Sequence, residues 1–248
     1  MARPLLALAL GLLTASAGPP PVRVTYLANE GVMLTSARGR VLIDALFGDG
    51  LPEYAVVPRP SRDSLERAGA GYGGPALLLF THDHRDHYDS AAVARYLASN
   101  PGAVAIGPPG TAPHGQTRAT DLGWVQARPV PVPHGPTIHP VGHTGWLVIL
   151  DGLTAVHLGD TSGDPGSWPD LDLPEAGVDV ALVPYWLALD EDRFRSLLEV
   201  VRARTVVLLH VGLAEATGEW PAQFKELQAR HQGLRAPSRP GEVVDLVR

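Results

Sequence analysis

His82, His84, Asp86 and His87 fall within six residues of one another, in the segment Thr81-His82-Asp83-His84-Arg85-Asp86-His87. His82 and His84 alternate, so in an extended stretch both rings project to the same side. Asp86 and His87 come next only if the chain turns, which lets them face a second centre close by. Imidazole nitrogen and carboxylate oxygen are donors that zinc, iron or manganese accept. The chemistry to which this segment points is therefore metal binding. A solvated loop with a chance concentration of histidine is the competing explanation. The chain holds ten His in 248 residues, and three within so short a span exceed what that composition provides. A plain surface loop would also sit oddly between an apolar strand and an amphipathic helix.

Those flanking elements must position the donors. Ala76 to Phe80 is wholly apolar, long enough for a buried strand and short for a helix. Ser90 to Asn100 carries Val93, Tyr96 and Leu97 on one helical stripe, with Asp89 as N-cap and Pro101-Gly102 as terminator. Upstream, Val22–Tyr26, Val32–Ser36 and Val41–Asp44 read as short strands, and a short helix is expected near Ser61 to Ala68. Downstream, strands are expected at Ala103–Ile106, Trp124–Val132, Trp146–Leu150, Thr154–Leu158, Val178–Val183 and Thr205–Leu209. Asp190 to Arg204 reads as a helix with Phe194, Leu197, Leu198 and Val201 on one face. Gln223 to Arg230 reads as a further helix and Val243 to Val247 as a last strand. Strands grouped in this way, with single helices between them, predict layered sheets with helices outside, not an all-parallel sheet.

Composition narrows the function. Hydrophobic residues make up 45% and charged residues 19%, which predicts a packed core. The net charge is −6, and no run of Lys or Arg would track a phosphate backbone, so a small-molecule substrate is expected and no nucleic acid. With no cysteine, thiolate ligands, a Cys nucleophile, disulfides and a lipid-anchored Cys are excluded. Met1-Ala2-Arg3, the apolar run Leu5 to Leu13 and Ala15-Ser16-Ala17 form a signal-peptide pattern, residues 1–17, followed by one domain, 18–248. The apolar run is about half of the roughly 20 residues that span a bilayer, so no stable membrane span is expected. An exported protein, periplasmic or extracellular, is the expectation. Oligomeric state is not legible.

His82-x-His84-x-Asp86-His87 resembles the signature of the metallo-β-lactamase superfamily. Asn29-Glu30-Gly31 followed by Val41-Leu42-Ile43-Asp44 is similar to that family's opening. Gly159-Asp160 at a strand end and His210 ending an apolar strand fall in the family's order. The similarity spans about residues 22 to 212. It implies an α/β (α+β) fold, a four-layer αββα sandwich, with two divalent metal ions at one edge and zinc as the expected metal. His82 and His84 would bind the first ion, Asp86, His87 and His210 the second, and Asp160 both, with a simple turn carboxylate as the alternative for Asp160. His134, His139 and His143 compete for the remaining place on the first ion. His134, directly after a strand, is favoured, while His143 lies in Gly142-His143-Thr144-Gly145, similar to a stretch of glyoxalase-II-like members.

The activity that the resemblance implies is hydrolysis by a metal-bridging hydroxide, oriented by Asp86, at an ester, lactone, phosphodiester or amide-type bond. Asp86 and Asp160 would be the catalytic carboxylates. A β-lactamase proper and a non-catalytic metal-binding protein on the same fold are the alternatives. Diiron oxygen-reducing relatives typically carry Glu where this chain has His84. Asp44 is read either as an acceptor fixing a ligand tautomer or as a turn carboxylate. His157 is read as a core residue or a partner behind the ligands, and His114 and His231 as surface residues.

The expected outcome for the leader is a secreted chain beginning after Ala17, checked by its intact mass. A secreted product that retains residues 1–17 would overturn that expectation.

Overall fold

The computed structural model describes residues 22–111, 117–135, 141–163, 166 and 171–247. The signal-peptide reading of residues 1–17, and His114 and His139, lie outside the described residues. Strands β1 (Arg23–Ala28), β2 (Gly31–Thr35), β3 (Arg40–Ile43), β4 (Ala76–Leu79) and β5 (Val104–Ile106) form one sheet in that order. Helices α1 (Arg59–Glu66) and α2 (Ser90–Ser99) link β3 to β4 and β4 to β5. The second sheet holds β6 (Thr120–Asp121), β7 (Val125–Val130), β8 (Gly145–Leu150), β9 (Leu153–His157), β10 (Val180–Pro184), β11 (Thr205–Leu209) and β12 (Leu234–Arg235). Its helices are α3 (Glu191–Val201), α4 (Leu213–Thr217) and α5 (Trp220–Arg230), and a 3-10 turn spans Tyr185–Leu189.

Strand alternation builds four layers from these runs. In β4, Leu77 and Leu79 join Val180, Leu182, Val207 and Leu209 of the other sheet in a shared core. Ala76 and Leu78 point the opposite way, into a cluster with Ala92, Val93 and Tyr96 of α2. Ala181, Val183, Val206 and Leu208 likewise leave the second sheet's other face to meet Phe194, Leu197 and Val201 of α3. Two apolar faces per strand are what a continuous apolar run predicts for a sheet covered on both sides. Helix–sheet–sheet–helix layering is the αββα sandwich expected from the sequence.

Both sheets are mixed. β1, β2 and β3 run antiparallel, whereas β3, β4 and β5 run parallel through helical crossovers. In the second sheet β6 to β9 run antiparallel and β9 to β12 parallel. The parallel halves bring the carboxyl ends of β3, β4, β9, β10 and β11 to one edge, where ligands bind in α/β sheets. Each predicted donor on those strands follows its strand's last residue.

Several boundaries differ from expectation. α3 ends at Val201 because Arg202 takes a left-handed φ of 44°, and the amide of Arg204 already bonds to Val178 beside the second sheet. α5 starts at Trp220, since Pro221 fits a first helical turn, where its missing N–H costs nothing. Val243–Val247 forms no strand: Val243 makes one bridge to Thr25, and the amide of Val247 bonds to the Thr205 hydroxyl instead of a neighbouring backbone. The short β6, β12 and α4 have too little periodicity to be read from sequence.

Trp146 ties the layers together. It is fully buried, and its indole N–H donates to the Phe80 carbonyl at 2.8 Å, just before the His-rich loop. Trp146→Phe keeps most of the volume but strands that carbonyl. The expected cost is about 1–3 kcal/mol of stability, read by chemical denaturation; an unchanged midpoint would contradict it.

Candidate metal centre

The His-rich loop leaves β4 and turns at once: the amides of His87 and Tyr88 both bond to the His84 carbonyl. That turn separates two groups of donors. His82, His84, His134 and Asp160 form one set within 4.8 Å of each other, and Asp86, His87 and His210 form another. All seven residues singled out from the sequence are thus brought to one place. Most are deeply buried, with His82 and His87 at 0% and His210 at 3% exposure.

Asp160 stands between the sets. Its Oδ2 lies 3.8 Å from His82 Nε2 and 3.7 Å from His134 Nε2. Its Oδ1 lies 3.3 Å from both His87 Nε2 and His210 Nε2. Gly159 makes this approach possible, because a Cβ there would sit 2.8 Å from Thr81 Cβ and 2.7 Å from His143 Nε2, and φ is +53°. Asp86 Oδ2 is 3.4 Å from His210 Nε2 and accepts from Asn29 Nδ2 at 3.3 Å.

The ring tautomers follow from the oxygen partners. Asp44 accepts from the Thr81 amide at 2.8 Å and from the Thr81 hydroxyl at 2.5 Å. With its hydroxyl proton committed, Thr81 Oγ1 accepts from His82 Nδ1 at 2.9 Å. Asp44 Oδ2 also accepts from His87 Nδ1 at 2.9 Å. His134 Nδ1 donates to the Gly135 carbonyl at 2.8 Å, and His143 Nδ1 to the Val132 carbonyl at 3.0 Å. Each of these rings is thereby oriented to present Nε2 as a lone pair. Of the two readings of Asp44, the geometry matches the one that fixes a ring tautomer.

These residues fit metal ions. His82 Nε2 and His84 Nδ1 stand 3.0 Å apart, two nitrogens that need a proton or cation between them. His134 Nε2 and Asp160 Oδ1 are buried without a hydrogen bond among the described residues. Such groups are costly to bury unless something positive meets them.

Electrostatics show the same demand. Burial works against charge on His87 and His210 but is outweighed, chiefly by Asp160, which holds His87 well above the usual imidazole range and pushes His210 up to about 10. Burial likewise opposes ionisation of Asp160, yet His87 and His210 hold its carboxyl well below the usual range. His82 goes the other way, lowered by burial and then by His87. The carboxylate of Asp160 and the imidazoles of His87 and His210 thus each favour the charged form of the other, so the centre is built to hold positive charge beside Asp160.

Some neighbours were not singled out from the sequence. Glu30 is fully buried, pushed up to about 8 by burial and then by Asp160, and its Oε2 lies 3.3 Å from His157 Nε2. Tyr54 and Trp186 pack edge-on against the His210 ring, with centroids 4.3 and 5.1 Å away. Neither has a spacing signal, because each comes from a different loop. His143 is brought in as well, its ring 5.2 Å from those of His82 and His134.

Fold and site together define a class. Residues 23–210 match the family described as the β-lactamase superfamily domain, and the chain belongs to the metallo-β-lactamase superfamily. Within it, the chain is similar to a UPF0173 metal-dependent hydrolase of Thermus thermophilus, 29% identical over 248 residues, covering 91% of this chain and 99% of that protein. A UPF0173 metal-dependent hydrolase of Thermococcus kodakarensis is 27% identical over 244 residues, covering 91% and 100%. A solved metallo hydrolase from Ignicoccus hospitalis, 18% identical, shares the fold with a TM-score of 0.60 over 90% of this chain and 97% of its own.

Asp44→Asn tests the support beneath the loop. Asn tolerates the φ of +46° found there, so the substitution removes charge without adding backbone strain. Metal affinity is expected to fall roughly 10–100-fold in a chelator competition, with the circular dichroism spectrum unchanged. Wild-type affinity would refute the support role.

Proposed function

We propose that this protein is a binuclear metal-dependent hydrolase acting on a small-molecule ester, lactone, phosphodiester or amide-type bond, with zinc as its metal. His82, His84, His134 and Asp160 would hold the first ion, and Asp86, His87, His210 and Asp160 the second. The observation that carries this reading is the divided carboxylate of Asp160, one oxygen turned to His82 and His134 and the other to His87 and His210. The names of the Thermus and Thermococcus relatives, metal-dependent hydrolases, support the reaction class.

Bound ions would supply an activated water near neutral pH and polarise the oxygen of the scissile bond. The chain's own groups do the remaining work. Asp86, held through Oδ2 by Asn29, positions the attacking water. Asp44 and Thr81 keep His82 and His87 in the tautomer that turns Nε2 inward. Deep burial of His82, His87 and His210 keeps bulk water from their inner faces, which strengthens every charge interaction there. His143, neutral because burial pushes it down to about 4, lines the first-metal side as a hydrogen-bond acceptor.

The expected outcome is about two zinc ions per chain, consistent with four donors per ion, and hydrolysis lost on chelation. Asp160→Asn should cost at least roughly a hundredfold in turnover, as removal of a charge-stabilising group does, and should lower metal content while the fold stays intact. His134→Ala should lose metal and activity together, whereas His143→Ala should keep most metal and change rate or substrate preference. The checks are elemental analysis and initial rates for the variants side by side. Full metal in His134→Ala with loss in His143→Ala would reverse the ligand assignment; chelator-resistant turnover by metal-free protein would end the metallohydrolase reading.

A further inference from the structure

A cleft of about 470 Å³ opens beside the second set of donors, between the loop after β3, the 3-10 turn and the start of α4. Its size is that of a small-molecule site. Tyr54, Tyr185 and Trp186 wall it, all three half-buried, and Leu213 adds an apolar side that is 48% exposed. Two of these walls are the rings that pack on His210, so the cleft adjoins the metal centre across them. Trp186 is braced by its indole N–H, which donates to the Thr161 carbonyl at 3.2 Å, and Tyr185 packs on Trp220 with ring centroids 5.2 Å apart.

Charge gives the cleft a sign. Glu53 and Glu215 line it, and among the described residues no Lys or Arg does. The Glu215 carboxylate folds back over the Gly212 backbone, on the cleft side of α4. Aromatic faces attract cations through their quadrupole, most strongly where they are partly shielded from water. Carboxylates beside them add to that attraction and repel an anion. The metal side would have the opposite preference, since cations held there would draw the electron-rich oxygen of the scissile bond. A substrate that satisfies both ends is electron-rich where it reacts and positively charged at its remote end.

Resting on the hydrolase reading, we propose that this aromatic and acidic cleft binds an organic ammonium group, making the substrate class a cationic ester or amide and disfavouring substrates with anionic flanks. Tyr54 and Trp186 then act twice, steadying the His210 ring on one side and meeting the substrate on the other.

The test is calorimetric titration of the metal-loaded full chain with three probes of one shape: benzyltrimethylammonium, the uncharged neopentylbenzene and the anionic benzylsulfonate. The ammonium is expected to bind about tenfold more tightly than the uncharged probe, with benzylsulfonate weakest. Glu215→Gln, remote from the metal donors, should weaken the ammonium severalfold and leave the uncharged probe unchanged. Tyr185 lines the cleft and packs on Trp220 rather than on a metal donor, so Tyr185→Leu should weaken both while metal content stays at the wild-type level. Equal affinity for the three probes, or tightest binding of benzylsulfonate, would overturn the assignment. Binding is read without turnover, so the two readings fail separately. A chain that hydrolyses neutral esters but shows no ammonium preference loses the cleft assignment alone. A chain that binds the ammonium yet hydrolyses no ester, lactone, phosphodiester or amide loses the hydrolase reading.

Discussion

Two carboxylates and a ring of imidazoles are packed at the edge of two sheets, nearly out of reach of water, and they cannot satisfy one another. Asp160 and Asp86 repel each other if both are ionised, and imidazoles that point their lone pairs inward have no donor to meet. Asp160 pulls His87 and His210 toward their charged forms against the effect of burial, which shows how strongly the carboxylate calls for positive charge beside it. Ions placed among the same donors would supply that charge, and because metal and proton compete for the same imidazole nitrogens, metal uptake and proton release would belong to one equilibrium. Much of the surrounding structure serves this charge balance. Asp44 receives the outward protons, Gly159 lets Asp160 come close, and Asn29 steadies Asp86.

The backbone bears part of the cost. Asn29, Asp44 and His210 all have positive φ, at 51°, 46° and 61°. Non-glycine residues in that region are strained by on the order of 1–3 kcal/mol each. All three lie at or just beyond strand ends facing the donors, where the chain must leave its sheet sharply enough to turn a side chain inward. The long buried ladders beneath, such as β10 on β11 from Val180 to Pro184, supply the rigidity that holds such strain in place.

The same edge separates two kinds of surroundings. Toward the first group of donors the walls are imidazoles, with His134 and His143 around His82. Toward the second they are aromatic rings with carboxylates beyond them, Tyr54 and Trp186 against His210 and Glu215 farther out. Burial, with Asp86 and Asp160 adding to it, pushes the Tyr54 phenol up to about 12, so it remains a neutral hydrogen-bond donor at the boundary. A substrate lying across the edge would meet different chemistry at its two ends.

Local information was enough for the His-rich loop, because its donors are neighbours in the chain and the apolar strand before it can only be buried. It was enough also for β4, β10 and β11, whose continuous apolar runs signal coverage on both faces, and for α2, whose Asp89 cap accepts from the Ala92 amide. Distance in sequence hid the rest. Whether His134 or His143 turns toward Asp160 depends on which carbonyl takes each ring's Nδ1 proton, Gly135 or Val132, and no spacing rule encodes that. The division of the Asp160 oxygens required β4 and β9, from different sheets, to end at the same edge. Tyr54 and Trp186 are ordinary residues in unrelated segments, and they reach the site only because parallel pairing brings the carboxyl ends of β3 and β10 to the same edge.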